Sequence, residues 1–257
     1  MYANEIVNEA KKLKESGLNW SRISRQLGVS RSTLREWFSE QKRYVPKLRC
    51  EEFELSYFFS KFEDCNDFRK AYYYLLGQYL GDGYISRNGR SYALRISATT
   101  KYVDIIAEIK EKMSIILPEN SIYVTKCAGC ESVTVNSKKM PVIFPQHGIG
   151  KKYTRLIKLS EWQMKYFEEN SKYLARGLFH SDGCFYKAEP NKNRHYYVFT
   201  NNSYDIHMIF QKCLTLNGIK FTFNKKTVYG NSAPAWNTLI YRKAEVDKAF
   251  RFLGAKS

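Results

Sequence analysis

One eleven-residue stretch occurs twice, and it restricts the fold more than any other feature. The first copy runs Tyr73-Tyr74-Leu75-Leu76-Gly77-Gln78-Tyr79-Leu80-Gly81-Asp82-Gly83. The second runs Tyr173-Leu174-Ala175-Arg176-Gly177-Leu178-Phe179-His180-Ser181-Asp182-Gly183. Tyrosine, glycine, aspartate and glycine return one hundred positions later. Within each copy a tyrosine, a glycine and a small residue (Gly81 or Ser181) fall every four residues, which is one face of a helix. A glycine inside a helix costs about 1 kcal/mol relative to alanine. The pattern therefore predicts two helices whose backbones must approach closely. Each is expected to stop at Gly83 or Gly183, where glycine tolerates the left-handed conformation that ends helices. If the helices pack together, Asp82 and Asp182 lie side by side at the negative ends of two helix dipoles. Such a place repels anions and attracts a divalent cation.

The elements after each copy follow one order. Tyr84 to Arg87 and Tyr92 to Ser97 read as a hairpin about Asn88-Gly89, a strong turn signal. Residues 102 to 113 form an amphipathic helix. Ile122 to Lys126 and Val133 to Asn136 form a second hairpin about the Cys127-Ala128-Gly129-Cys130 tip, and a short helix near 138 to 146 follows. The second copy leads to strands at Cys184 to Lys187 and Tyr196 to Thr200, then a helix at Ser203 to Leu216. Strands at Lys220 to Lys225 and Asn237 to Arg242 and a helix at Ala244 to Leu253 complete it. The expected class is α+β, with two pseudo-symmetric αββαββα halves at 71–160 and 161–257. Two halves in one chain imply a monomer with internal twofold pseudosymmetry.

Ahead of them, residues 4 to 16 are spaced as a helix that ends at Gly17. Trp20 to Leu27, the Gly28-Val29-Ser30 turn and Arg31 to Phe38 read as helix, tight turn, helix. Ile23, Leu27, Val29, Leu34 and Trp37 can close a small core, and Ser30 is a natural N-cap. The pattern resembles the helix-turn-helix of resolvase-like and regulatory DNA-binding domains. Residues 1–44 are expected to be such a domain, with Arg31, Ser32 and Arg35 facing DNA. Residues 45–70 read as a linker with an ill-defined helical part.

GQYLGDG and GLFHSDG resemble the paired signature motifs of the LAGLIDADG homing endonucleases. Leu80 and His180 replace the earlier acid of the family name, and the final acid is kept in both copies. The resemblance implies a saddle of eight strands over duplex DNA and a double-strand break across the minor groove. It also implies Mg2+, or another divalent cation such as Mn2+, held by Asp82 and Asp182. Basic residues after the last helix of each half assist in that family. The matching positions are Lys152 and Lys256, which are also the kind of lysine that only contacts phosphate. Two rivals stand beside site-specific cleavage: a non-cutting DNA-binding transcriptional regulator and an intron RNA maturase.

Composition agrees with a polyanionic partner. The formal net charge is +17, and 16% of the residues are aromatic, 20 of them tyrosine. Such a chain folds and seeks acidic partners, with double-stranded DNA the first expectation. Outward strand residues expected to touch it are Arg87, Arg95, Lys126, Lys187, Tyr197, Asn224, Lys226 and Arg242. Arginine can read guanine and asparagine adenine, whereas lysine more often holds phosphate. No apolar run is long enough to span a membrane. The six cysteines lack a disulfide framework, and neither Cys50 with Cys65 nor Cys127 with Cys130 completes a zinc set. A reducing cytoplasm is expected, next to the nucleoid if the source is bacterial. His180, two residues before Asp182, is expected to pack rather than ligate.

Overall fold

A computed structural model describes residues 4–38, 48–187, 195–226, 235–254 and 256. The chain divides into two compact units, residues 1–50 and 51–257.

The first unit carries α1 (Asn4–Glu15), α2 (Trp20–Leu27) and α3 (Arg31–Phe38). Asn19 caps α2 by accepting from the Arg22 amide at 3.0 Å. Gly28 ends it at φ +64, the left-handed region that favours glycine. Ser30 starts α3, its Oγ accepting from the Thr33 amide at 3.1 Å. Ala10, Ile23, Val29 and Leu34 are buried together, with Trp37 and Leu27 packed against them. Arg31, Ser32 and Arg35 lie on the exposed side of α3.

The second unit opens with α4 (Leu48–Asp64) and α5 (Asn66–Leu80). The described part of the expected linker, from Leu48 on, is thus helical and packed. Phe58 and Phe62 of α4 are buried against Tyr72 and Trp162, and a chain that buries two phenylalanines is part of the core. Helix α5 is buried on every side from Ala71 to Leu80, as an element apolar all round must be. Then come β1 (Tyr84–Asn88), β2 (Ser91–Thr99), α6 (Val103–Ile116), β3 (Ile122–Cys127), β4 (Cys130–Ser137) and α7 (Met140–Ile143). A 3-10 turn at Lys152–Thr154 and α8 (Glu161–Lys165) lead to α9 (Phe167–Asp182). The second series is β5 (Gly183–Lys187), β6 (His195–Asn201), α10 (Tyr204–Leu216), β7 (Thr222–Lys226), β8 (Ala235–Ile240) and α11 (Lys243–Leu253).

Both series form four-stranded antiparallel sheets of identical topology, β1-β2-β4-β3 and β5-β6-β8-β7. In each, one face packs on helices and supplies core residues such as Leu94, Ile96, Val133 and Val135, or Tyr197, Phe199 and Ile240. Alternate residues point to the opposite, open face. The first hairpin turns at Gly89-Arg90, one residue later than the Asn-Gly pair, because Asn88 pairs with Ser91. The halves are not separate bodies: α5 and α9 cross at the centre of one continuous core.

Candidate metal centre and groove

The two repeated helices touch backbone to backbone. A Cβ on Gly77 would stand 2.5 Å from the Leu174 carbonyl oxygen and 2.6 Å from the Leu178 nitrogen, and one on Gly177 would strike the Tyr74 carbonyl. No side chain fits at this crossing, which accounts for both glycines. Gly83 and Gly183 have a different reason from the one the sequence offered. Neither is left-handed: Gly183 has φ −86 and ψ 161, and Gly83 is not among the positive-φ glycines. A Cβ at Gly83 would lie 2.6 Å from the Tyr79 Cα, and one at Gly183 2.5 Å from the Phe179 carbonyl oxygen. The chain folds sharply back over the last helical turn there, and only a bare backbone clears it.

That crossing brings the two aspartates together. Asp182 Oδ2 lies 2.8 Å from where a Cβ on Gly81 would be, so the end of one helix leans on the end of the other. Burial, and then the neighbouring Asp82 charge, push the Asp182 carboxyl up to about 6. Burial also raises Asp82, against the pull of Lys256 and Lys152. Asp82 is the more open of the two. Both face a cleft of about 520 Å³ whose lining includes Tyr84, His147, Lys152 and Asn201.

Lys152 and Lys256 reach this place from opposite sides. Lys152 Nζ donates to the carbonyls of Gly81 and Gly83 at 2.6 Å each, and to that of Tyr79. Lys256 Nζ donates to the Ser181 carbonyl at 2.6 Å. Each ammonium thus caps the negative end of one repeated helix. Burial lowers Lys152 to about 8, opposed by Asp182 and Asp82, and lowers Lys256 in the same way.

His180 does not face the cleft. Its Nε2 donates to the Leu253 carbonyl at 3.0 Å and its Nδ1 accepts from the Tyr74 hydroxyl at 3.0 Å. Burial, and then the Arg176 charge, push it down to about 3, so it is neutral and carries one proton, on Nε2. Arg176 donates to the carbonyls of Phe252 and Leu253 and pairs with Glu108 at 3.1 Å, while Tyr197 donates to the Gly254 carbonyl at 2.9 Å. Together these groups fix the segment that delivers Lys256.

The strand residues expected to face DNA separate by register. Arg95 and Asn224 alternate with core positions and lie on the open faces. Tyr197 does not: it is 1% exposed and packs on Phe179 and Phe185. The expected outward position fails because Tyr197 falls on the core side of β6, and its hydroxyl is used at Gly254. Arg87 shares a face with Ile85, and Lys126 pairs with Glu131 on the Val133 side. Both therefore stand on the helix-facing side of their sheet, at its rim. Arg242 lies beyond β8, as the N-cap of α11. The side chains of Lys187 and Lys226 lie outside the described residues.

Comparison with known proteins bears on this arrangement. Residues 169–254 match the profile of the LAGLIDADG-like domain. The solved structures extend the likeness to the first half. A mesophilic variant of the homing endonuclease I-DmoI superposes with a TM-score of 0.53 at 14% identity, over 74% of this chain and 98% of that one. I-DmoI in complex with DNA and Ca gives 0.51 at 15%, over 72% and 90%, and I-DmoI with DNA and Mn gives 0.50 at 16%, over 74% and 99%. No curated protein matches the chain in sequence. The second unit therefore has the double LAGLIDADG fold.

Within that LAGLIDADG fold the halves are not chemically equivalent. Asn201 Nδ2 donates to Asp182 Oδ2 at 2.7 Å, and its own Oδ1 accepts from the Ser203 amide at 2.7 Å. Tyr84 pairs with Arg95 and Cys184 with Val198, so the position matching Asn201 is Ala98. Asp82 has no such amide partner from Ala98. In sequence Asn201-Asn202-Ser203 looks like an ordinary turn before a helix, and nothing in it marks Asn201 as a neighbour of Asp182.

Proposed function

We propose that this chain is a site-specific endonuclease that hydrolyses both strands of duplex DNA, acting as a single chain with Mg2+, or another divalent cation such as Mn2+. The supporting observation is the meeting of Asp82 and Asp182 at the crossing of two helix ends. A carboxylate raised by burial and by a neighbouring aspartate, as Asp182 is, is costly for the free protein. Selection for stability alone gives no reason to place the same acid twice at a helix C-terminus. The donors are hard oxygens, which suits Mg2+ or Mn2+. Among the described residues no three metal-ligating side chains gather. Two carboxylates are then the protein's share, and water and phosphate oxygens complete the set.

The chemistry a bound divalent cation supplies is activation of water and neutralisation of charge on the attacking and leaving oxygens. The chain's own residues prepare for this. Asn201 fixes the rotamer of Asp182 and leaves its other oxygen free. Lys152 and Lys256 each cap one helix end and set a positive field for a scissile phosphate. Arg31, Ser32 and Arg35 extend the contact with DNA from the first unit, and the open sheet faces read sequence.

The test is a randomised duplex library incubated with the purified chain and Mg2+, with cut ends recovered and sequenced. One preferred sequence cut on both strands is expected. Asp82→Asn and Asp182→Asn should each abolish cutting and leave duplex binding within a few fold. Tight sequence-selective binding with no cutting under any divalent ion would make the chain a regulator instead.

A further inference from the structure

The two sheets present different chemistry at matching positions of their open faces. In the first sheet Tyr84, Arg95, Thr134 and Tyr123 stand side by side across the four strands. In the second the matching row is Cys184, Val198, Leu239 and Thr222. Each row starts two residues beyond an aspartate, and one open-face row lies closer to the carboxylate pair in each sheet: Ser97, Ser132 and Thr125 in the first, Thr200, Asn237 and Asn224 in the second. In the first, Arg95 lies over the Tyr84 ring at 5.6 Å and donates to Ser86 Oγ at 2.6 Å. Its guanidinium is held in place on a surface of hydroxyls. The second row carries no charge. Val198 and Leu239 are half-buried neighbours on adjacent strands, outside the core that takes in Tyr197, Phe199 and Ile240 of the same strands. In the next row Tyr186 and Tyr196 stack at 5.0 Å, extending the apolar strip.

A β-ribbon fits the major groove, where each base pair shows its own pattern of groups. Donors and acceptors dominate that pattern, and the apolar feature is the thymine C5 methyl. An arginine fixed on an aromatic ring suits guanine. A valine and a leucine side by side have nothing to donate or accept, and they gain by covering methyl groups. We propose that the second sheet recognises thymine methyl groups through Val198 and Leu239, so that its half-site carries thymine one row out from the cut, at the place where the first sheet presents Arg95 to the other half-site. This rests on the duplex-DNA reading above and goes beyond it by naming the base chemistry of one half-site.

The experiment uses the full chain and the duplex selected from the randomised library. Arg95→Ala marks the half-site under the first sheet as the one where base preference relaxes. Thymines of the other half-site, starting just beyond the base pairs next to the cut, are then replaced by uracil, which pairs identically and lacks the methyl. Binding should weaken about fourfold per methyl removed, from the transfer value of one buried carbon. The same replacement under the first sheet should change it less than twofold. Val198→Ala should erase most of the uracil response, and since the probe is the DNA, the wild-type comparison stands even if that variant folds poorly. Undiminished binding to uracil duplexes, or a selected half-site without thymine at those positions, overturns the inference while cutting persists. Failure to select any duplex overturns the endonuclease reading along with it.

Discussion

Asp182 carries a large electrostatic strain. Its carboxyl is raised to about 6 by burial and then by Asp82, from an ordinary value of 3.8. The native state therefore binds a proton between pH 4 and 6 that the unfolded chain releases, and stability falls as pH rises through that window. Above it the ionised carboxylate costs the metal-free protein about 2–3 kcal/mol. Asp182→Asn keeps the shape and removes the costly charge. The expected result is a protein stabilised by about 1–2 kcal/mol at pH 7.5 in chelator, measured by urea denaturation, although it no longer cuts. Mg2+ should stabilise the wild type and not the variant. A less stable Asp182→Asn in chelator would show that the Asn201 hydrogen bond outweighs the repulsion. Protons also compete with the cation for these oxygens, so the apparent Mg2+ affinity of the wild type should drop steeply below pH 6.

At the scale of elements, the crossing of α5 and α9 depends on two missing side chains. Gly177→Ala would drive a Cβ into the Tyr74 carbonyl, and backbone on both sides leaves nothing flexible to yield. A loss of about 2–4 kcal/mol is expected, with cutting lost in parallel as the aspartates separate. The lysine caps differ in degree. Lys152 satisfies three carbonyls and Lys256 satisfies one, so Lys152→Ala should cost more stability than Lys256→Ala, with equal costs arguing against a capping role. The crossing itself was legible in the sequence, because four-residue spacing of glycine has few other uses. The reason for Gly83 and Gly183 was not, since a turn residue and a residue with no room for a Cβ look alike in one dimension. Tyr197 and Arg87 were misread for a related cause: a strand's face depends on register, and a shift of one residue reverses every assignment. Helix α4 was read only as an ill-defined helical part because its charged start hides Phe58 and Phe62, whose burial depends on Trp162, a residue a hundred positions away. Asn201 lay beyond sequence reasoning altogether, since its contact with Asp182 arises only when β6 pairs with β5.

For the whole molecule, the question is what the first unit adds to a second unit that already holds both aspartates. The second unit has its own core, its own cleft and both sheets, so cutting does not require α1–α3. On the reading proposed above, a separately folded basic unit on the same chain acts by raising the local concentration of a second contact on the same duplex. Its contribution is then to affinity and to salt dependence, while the chemistry stays with the second unit. Arg31 and Arg35 are exposed on α3 and take no part in the small core, so replacing both by alanine leaves that unit folded. In the double variant the dissociation constant should rise at least about tenfold, and the slope of log K against log salt should shrink by about 1–2. The cut site should stay the same, and the turnover of bound DNA should be unchanged. An unchanged affinity and slope would assign α1–α3 to a protein partner. A changed cut position would mean that the first unit sets register as well as affinity, and that the two sheets alone do not fix where the strands are broken.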